Sequence, residues 1–282
     1  MANTAYQIQY RQEYISAFEA GEALLRMACT TETMIQGNQA TFLVAGSGDA
    51  TAVTRGSDGR IPARYDDLNQ YTATLTEWHD VVEKTRFNIF AGQSNQQKIM
   101  QEQGVKVMNR KIEDEIITEL NNATLDANST ASKASVDLVT TAVAILGQNN
   151  VPTEEEDKMF GLISPAFYKY MIQAPEFSSR DYVEVGAFNS NGTRKKVLRW
   201  FGINWIKSTR ITGLGTNAEK CYIFHKDAIG HALDKKGLTV ALGHDERHDF
   251  SWARTSAFMG SKILQNSGII RINHDASAIA AS

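Results

Sequence analysis

The residues best suited to chemistry are two histidines near the C-terminus, His244 and His248, in the run His-Asp-Glu-Arg-His. On a helix, positions four apart share a face and can bind one metal ion. The flanking residues favour strands instead, and strand positions four apart lie about 13 Å from each other. We therefore expect a charged turn between strands, in which Asp245, Glu246 and Arg247 are candidate contacts with a neighbouring subunit. A metal-dependent enzyme using the two histidines is the alternative that this motif leaves open.

A second set of charges lies around a glycine-rich segment. Arg55, Arg60 and Arg64 are spaced along it, and Asp66 and Asp67 follow directly. Single-stranded nucleic-acid sites interleave basic residues with aromatic ones, and aromatic residues are sparse here. Charges of both signs suit the rim of a contact with another subunit, where they set register more than affinity. All five residues are candidate inter-subunit contacts.

The sequence offers no catalytic or cofactor motif. It has no phosphate-binding glycine motif followed by a helix pattern, no Walker lysine and no Gly-x-Ser-x-Gly elbow. The two cysteines, Cys29 and Cys221, lack a CxxC partner, and Cys221 lies in an apolar run typical of an inert buried thiol. We expect no enzyme, no cofactor and no resident metal.

Composition indicates a globular chain. Of 282 residues, 42% are hydrophobic and 22% are charged, and the net charge is -3. A protein that coats nucleic acid by charge neutralisation should be basic, and this one is not. No apolar stretch approaches the ~20 residues of a membrane span, so we expect no membrane association. The first residues lack a secretory signal pattern, and two cysteines fit a reducing compartment.

Hydrophobic periodicity places the elements. A helical stripe at Tyr14, Phe18, Glu22 and Leu25 indicates an N-terminal arm. From Thr41 to about Arg64, glycines separate short β-leaning runs, and Asp58-Gly59 is a hairpin signal between Ala52-Val53 and Ile61. Alternation at 71–75 and again at 86–89 predicts two half-buried strands.

The pattern then changes to a helical period. Apolar residues at steps of three and four within Gln93 to Thr124 predict one helix of about 30 residues, roughly 45–50 Å long. They are Val105, Met108, Ile112, Ile116, Leu120 and Ala123.

A mixed α/β block follows. Ser135 and Ser164 are predicted N-caps of two helices, the second with a proline in its first turn. Strands are predicted at 159–163, 197–206 and 221–224, and a short helix at 227–233. The chain then returns through strands at 238–242, 247–254 and 269–272.

This order of parts resembles the major capsid proteins of tailed bacteriophages, which have the Hong Kong 97 (Johnson) fold. Five local stretches are also similar to that family: Gly59–Arg64, Phe90–Gly92, Ile112–Ile117, Met159–Pro165 and Tyr222–Ile229. The resemblance covers nearly the whole chain and rests on order and spacing. The predicted fold class is α+β, a Hong Kong 97-like capsid fold with an N-terminal arm, an extended β-hairpin loop, a long spine helix and a mixed α/β axial domain.

The resemblance implies a division of the chain. It gives an N-terminal arm over 1–40, an extended loop over 41–82, a peripheral domain with the spine helix over 83–125 and 237–274, an axial domain over 126–236 and a flexible tail over 275–282. The extended loop would lie over an adjacent subunit.

The resemblance also implies function and partners. The protein would self-assemble as pentamers and hexamers into an icosahedral head that encloses double-stranded DNA without reading its sequence. A scaffolding protein and a portal would act during assembly in the host cytoplasm, a decoration or cement protein could be added, and the product would be a virion. The encapsulin-like shell of a protein compartment shares this fold and stays open as an alternative.

Overall fold

The computed structural model describes residues 23–35, 37–47, 50–63, 67–91, 96–174, 198–234 and 236–279. Most of the predicted arm stripe lies outside these ranges. Its last member, Leu25, is fully buried in a 3-10 helix, Leu24–Ala28.

In the described part of the chain, four strands precede three α-helices, and one strand, a fourth α-helix and seven further strands follow. The α-helices are Arg86–Ala91 (α1), Gln96–Leu120 (α2), Val136–Gln148 (α3) and Pro165–Gln173 (α4). The strands are Thr30–Ile35 (β1), Gln39–Gly46 (β2), Asp67–Thr74 (β3), Thr76–Thr85 (β4), Met159–Ile163 (β5), Leu198–Trp200 (β6), Ile203–Lys207 (β7), Glu219–His225 (β8), Ile229–Asp234 (β9), Thr239–Asp245 (β10), Phe250–Ile263 (β11) and Ile269–His274 (β12).

One sheet is organised around the long strand β11. Strand β4 pairs antiparallel with β11 from Thr76 to Thr85, while β10 and β9 pair with successive parts of β11 and β1 adds parallel to β9. Helix α2 packs on this sheet. It has 25 residues, about 37 Å at 1.5 Å per residue, so the predicted long helix is confirmed, and it ends at Leu120, before the predicted Thr124.

The predicted stripe of α2 is its buried side. Met108, Ile112, Ile116 and Leu120 are each no more than 2% exposed. They belong to a hydrophobic cluster that continues into the second sheet, so among the described residues the two sheets share one core. Burial of this stripe is what holds the helix on the sheet.

The second sheet has the strand order β12-β8-β5-β7-β6 in the described part of the chain. Strand β5 occupies its predicted range, and all five of its residues are buried. The two predicted caps are present: Ser135 Oγ accepts from Leu138 N–H, and Ser164 Oγ accepts from Phe167 N–H. These caps fix where α3 and α4 begin.

Each sheet contains strands from more than one of the predicted ranges. Strand β9, within 126–236, lies in the first sheet, and β12, within 237–274, lies in the second. In the predicted tail, Ala276 is fully buried and its N–H donates to Thr216 O at 2.9 Å. The tail is therefore docked at its start.

Three local predictions are wrong. The single strand predicted at 197–206 is two antiparallel strands, β6 and β7, because Phe201 and Gly202 turn the chain with φ of 54° and 69°. Residues 86–91 form α1 and not a strand; Thr85 Oγ1 accepts from Asn88 N–H at 3.3 Å and so caps the helix start. Residues 229–234 form β9 and not a helix, after a 3-10 turn at Lys226–Ala228. None of the helices in the described residues combines the length and apolar character that a membrane crossing needs.

Candidate assembly surface

The glycine-rich segment is the connection of a two-stranded hairpin, β2–β3, which is rooted in the body of the protein. In β2 the side chains alternate, so that Ala40 and Phe42 are buried while Thr41 and Leu43 are exposed. The buried face packs in a small cluster with Ala73, Ala232 and Leu264. This alternation is what fixes the register of β2 against β3.

Two glycines allow the hairpin root to approach the sheet closely. A Cβ on Gly230 would lie 2.8 Å from the Phe42 ring, and a Cβ on Gly260 would lie 2.3 Å from Thr74 O. Neither distance is compatible with a side chain, so β9 and β11 receive the hairpin only because these positions are glycine.

The other face of the hairpin carries no charge and is exposed except at Thr72, which is half-buried. Leu43 pairs with Gln70 and Ala45 with Leu68, which makes the two leucines diagonal neighbours. Leu43 is 64% exposed and Leu68 is 56% exposed. We call Thr41, Leu43, Ala45, Leu68, Gln70 and Thr72 the neutral hairpin face. Two adjacent exposed leucines on an uncharged strand face are typical of a contact surface.

The hairpin tip, residues 50–63, is exposed throughout. Its turn lies where the sequence predicts it: Gly59 has φ 77°, Gly59 N–H donates to Gly56 O at 2.9 Å, and Gly56 N–H donates to Arg60 O at 2.9 Å. The flanking strands differ from the prediction. The paired residues are β2 and β3, and Ala52-Val53 and Ile61 lie outside any strand.

The tip brings two of the predicted contact residues together. Arg55 and Arg60 flank the same turn and are exposed, and Asp58 Oδ1 accepts from Arg60 N–H at 3.3 Å. Arg64 and Asp66 lie outside the described residues. The backbone of Asp67 pairs with Gly46 at the start of β3, and its side chain is not described.

The other predicted set forms the turn between β10 and β11. Asp245 holds the turn: its Oδ1 accepts from Arg247 N–H at 2.8 Å, and its Oδ2 lies 2.8 Å from His248 Nδ1. The hydrogen bonds from His248 and from the backbone lower the pKa of Asp245. Glu246 and Arg247 are exposed. The predicted charged turn is thus present, and Asp245 is used inside it.

The two histidines of this turn have different partners. His244 Nδ1 lies 3.2 Å from Ser251 Oγ, whereas His248 pairs with Asp245. Among the described residues, a group of three donors compact enough to share an ion occurs elsewhere, at Glu219, Cys221 and His274. The arrangement of His244 and His248 is that of a hydrogen-bonded turn.

Sequence reasoning missed a buried carboxylate on α2. Glu113 is 5% exposed and joins three segments, accepting from Leu24 N–H at 3.2 Å and from Ser208 Oγ at 3.3 Å. Burial raises its pKa, which these hydrogen bonds partly offset. Its spacing of three and four from Ile116 and Ile117 places it on the buried side of the helix, a signal that was available in the sequence.

The comparisons with known proteins decide the family. A family model described as phage capsid protein matches residues 2–276. This chain belongs to the phage capsid protein family.

Solved structures show the fold of this capsid protein. A chain of Mycobacterium phage Che8 superimposes with a TM-score of 0.75 at 14% identity, covering 97% of this chain and 98% of that chain. The capsid of Ralstonia phage GP4 superimposes with a TM-score of 0.70 at 13% identity, covering 97% of this chain and 96% of that chain. The capsid of a native GTA particle gives 0.69 at 11% identity, covering 96% of each chain. No curated protein matches.

The family and the fold confirm the resemblance to the Hong Kong 97 type. The chain is a major capsid protein, a structural component of the virion that assembles into multimeric shells. Its surface must therefore contain contacts that a single chain leaves open.

Proposed function

We propose that this capsid protein assembles as pentamers and hexamers into the icosahedral head that encloses double-stranded DNA, and that the β2–β3 hairpin is an extended loop that lies on a neighbouring subunit. The observation that carries the proposal is the hairpin itself. Its root is buried in its own chain, while its neutral face and its tip are exposed.

Elementary energetics favour such a contact. An isolated two-stranded hairpin is marginal in water, and exposed strand edges and apolar side chains are normally covered. A second copy of the chain is the partner that a shell supplies at every position. The tip arginines then meet carboxylates of that copy at the contact rim, where charge sets register.

The division into parts follows the same logic. The hairpin acts as the extended loop predicted at 41–82, α2 as the spine helix of the peripheral domain, and the second sheet with α3 and α4 as the core of the axial domain. The net charge of -3 suits a shell that must not bind its DNA tightly during packaging. A separate scaffolding protein, a portal and a decoration protein are the further partners we propose, with assembly in the host cytoplasm.

The tip charges give a direct test. In an Arg55→Ala/Arg60→Ala variant we expect a folded subunit, because both side chains are exposed. We expect the yield of closed shells to fall about tenfold or more, because a loss of about 1.4 kcal/mol lowers the association constant of each contact tenfold and a shell needs many such contacts. Shells are counted by negative-stain electron microscopy, after size-exclusion chromatography of protein co-expressed with its scaffolding partner.

The matched control is Thr51→Ala/Thr54→Ala, which shortens two exposed side chains of the same tip without changing charge. Circular dichroism checks that both variants fold. Shell yield of the arginine variant equal to that of the threonine variant would remove the tip from the contact. Shells that enclose protein cargo and no DNA would instead identify a compartment.

A further inference from the structure

A compact group of metal-type donors lies in the second sheet. Glu219 and His274 are directly paired across β8 and β12, and Cys221 is two residues along β8 on the same face. One carboxylate oxygen, the thiol sulfur and one ring nitrogen all lie within 4.8 Å of one another. Each of the three residues is fully buried.

The packing around this group holds its members in place. Ser164 Oγ donates to Glu219 Oε2 at 2.8 Å, and a hydrogen bond joins His274 Nδ1 to the same oxygen. The His274 ring is contacted edge-on by Phe167, with ring centroids 5.1 Å apart. Ser164 also lies close enough to Cys221 to act on the pKa of its thiol, so it lies beside two members of the group.

The hydrogen bonds leave two polar atoms of the group unpaired. Glu219 Oε1 and His274 Nε2 have no partner within the described residues, and both are shielded from solvent. Buried polar atoms are nearly always satisfied, because an unpaired one costs its full desolvation free energy. Two unpaired polar atoms therefore lie in one buried cluster, next to a thiol. This arrangement indicates a ligand that the described residues do not supply.

We propose that Glu219, Cys221 and His274 bind a divalent ion of the zinc class. Thiolate, imidazole and carboxylate are the three donor types that zinc takes in proteins, and the ion is usually four-coordinate. The Ser164 hydroxyl, which donates to Glu219 Oε2 at 2.8 Å, adds a neutral oxygen beside these three donors. A site enclosed in this way has no open position for substrate and is structural.

The proton balance of binding is simple. Cys221 loses its thiol proton to solvent and ligates as thiolate, while His274 ligates as the neutral imidazole and Glu219 as the carboxylate. Burial raises the pKa of the Cys221 thiol far above its usual range, and the charge of the ion opposes that effect. Binding would tie β12, the last strand, to β8 and to the start of α4.

The test is the metal content of the full-length subunit. Protein refolded with Zn²⁺ and then dialysed against metal-free buffer should retain about one zinc per chain by plasma mass spectrometry. Refolded with Co²⁺, it should show the charge-transfer absorption of a cobalt–thiolate bond, which surface histidines cannot produce. Chelation should lower the melting temperature of the wild-type subunit.

Variants then locate the site. Cys221→Ser should lose the cobalt–thiolate band and most of the zinc, whereas Cys29→Ser, at the other buried cysteine, should keep both. Two results would overturn the proposal: less than about a tenth of a zinc per chain in folded wild-type protein, or a cobalt–thiolate band that is lost in Cys29→Ser and kept in Cys221→Ser. The wild-type measurement needs no variant to fold, and its outcome is separate from shell assembly.

Discussion

At the residue scale, the serine caps were predictable, whereas the buried polar contacts were only partly so. Ser135 and Ser164 stand in a local pattern that is readable from a few neighbouring letters, and each caps its helix. Glu219 and His274 are 55 positions apart, and only the pairing of β8 with β12 brings them together. A contact of that separation is set by sheet register, which a single sequence does not specify.

Glu113 gives a prediction about pH. Because burial raises its pKa, its charged form is penalised in the folded state, and the pKa is higher folded than unfolded. The free energy of unfolding contributed by Glu113 is therefore largest below the unfolded pKa near 4.5 and is lost as the pH rises through the folded pKa.

Glu113→Gln removes that titration. We expect the melting temperature of wild type to rise relative to that of Glu113→Gln as the pH is lowered from about 7 to about 4.5. Thermal unfolding of the unassembled subunit across this range measures the difference. Glu102→Gln, an exposed position on the same helix, reports the effect of removing one surface charge. A difference that is constant with pH, or that grows in favour of the variant in acid, contradicts the prediction.

At the element scale, long periodic segments were predicted well and short ones were not. Helix α2 repeats its apolar spacing over several turns, and the stripe that predicts it is the side it buries. In β9 the first five positions are all buried, so no alternation distinguishes the strand from a buried helix. At 86–89 two alternating positions suggested a strand, but the cap from Thr85 starts a helix.

The stripe of α2 supports a stability prediction. Ile116 is fully buried in the shared core, so Ile116→Ala leaves a cavity and should lower the free energy of unfolding by about 2–5 kcal/mol. Urea denaturation of the unassembled subunit measures this loss. Thr118→Ala, on the exposed side of the same helix, should change it by less than about 0.5 kcal/mol. A loss below about 1 kcal/mol at Ile116 would show that the stripe does not carry the core.

At the scale of the whole molecule, a capsid subunit folds around one core and leaves other surfaces for its copies. Among the described residues, the shared cluster joins both sheets in one core. In the part of the chain that the structure describes, the tip is exposed throughout and the neutral hairpin face is exposed except at Thr72. The sequence could predict the hairpin and its charges, because both are local. It could not identify what they touch, since that contact lies between chains.

The neutral hairpin face therefore supports a prediction about assembly. Leu43→Ser/Leu68→Ser removes two exposed leucines, so the unfolding free energy of the lone subunit should change little. If a neighbour buries these side chains, the loss is about 1–3 kcal/mol per contact, and the subunit concentration needed for assembly rises roughly tenfold for each 1.4 kcal/mol. Light scattering against subunit concentration measures that threshold.

The control for this prediction is Leu214→Ser, a single exposed leucine on a loop outside the hairpin. A threshold that rises for the hairpin variant and not for the control places the neutral face in the shell contact. Equal thresholds for wild type and the hairpin variant would mean that the face stays open to solvent in the shell. The hairpin would then act through its tip, where Val53 and Ile61 are exposed beside the two arginines, at 59% and 67%.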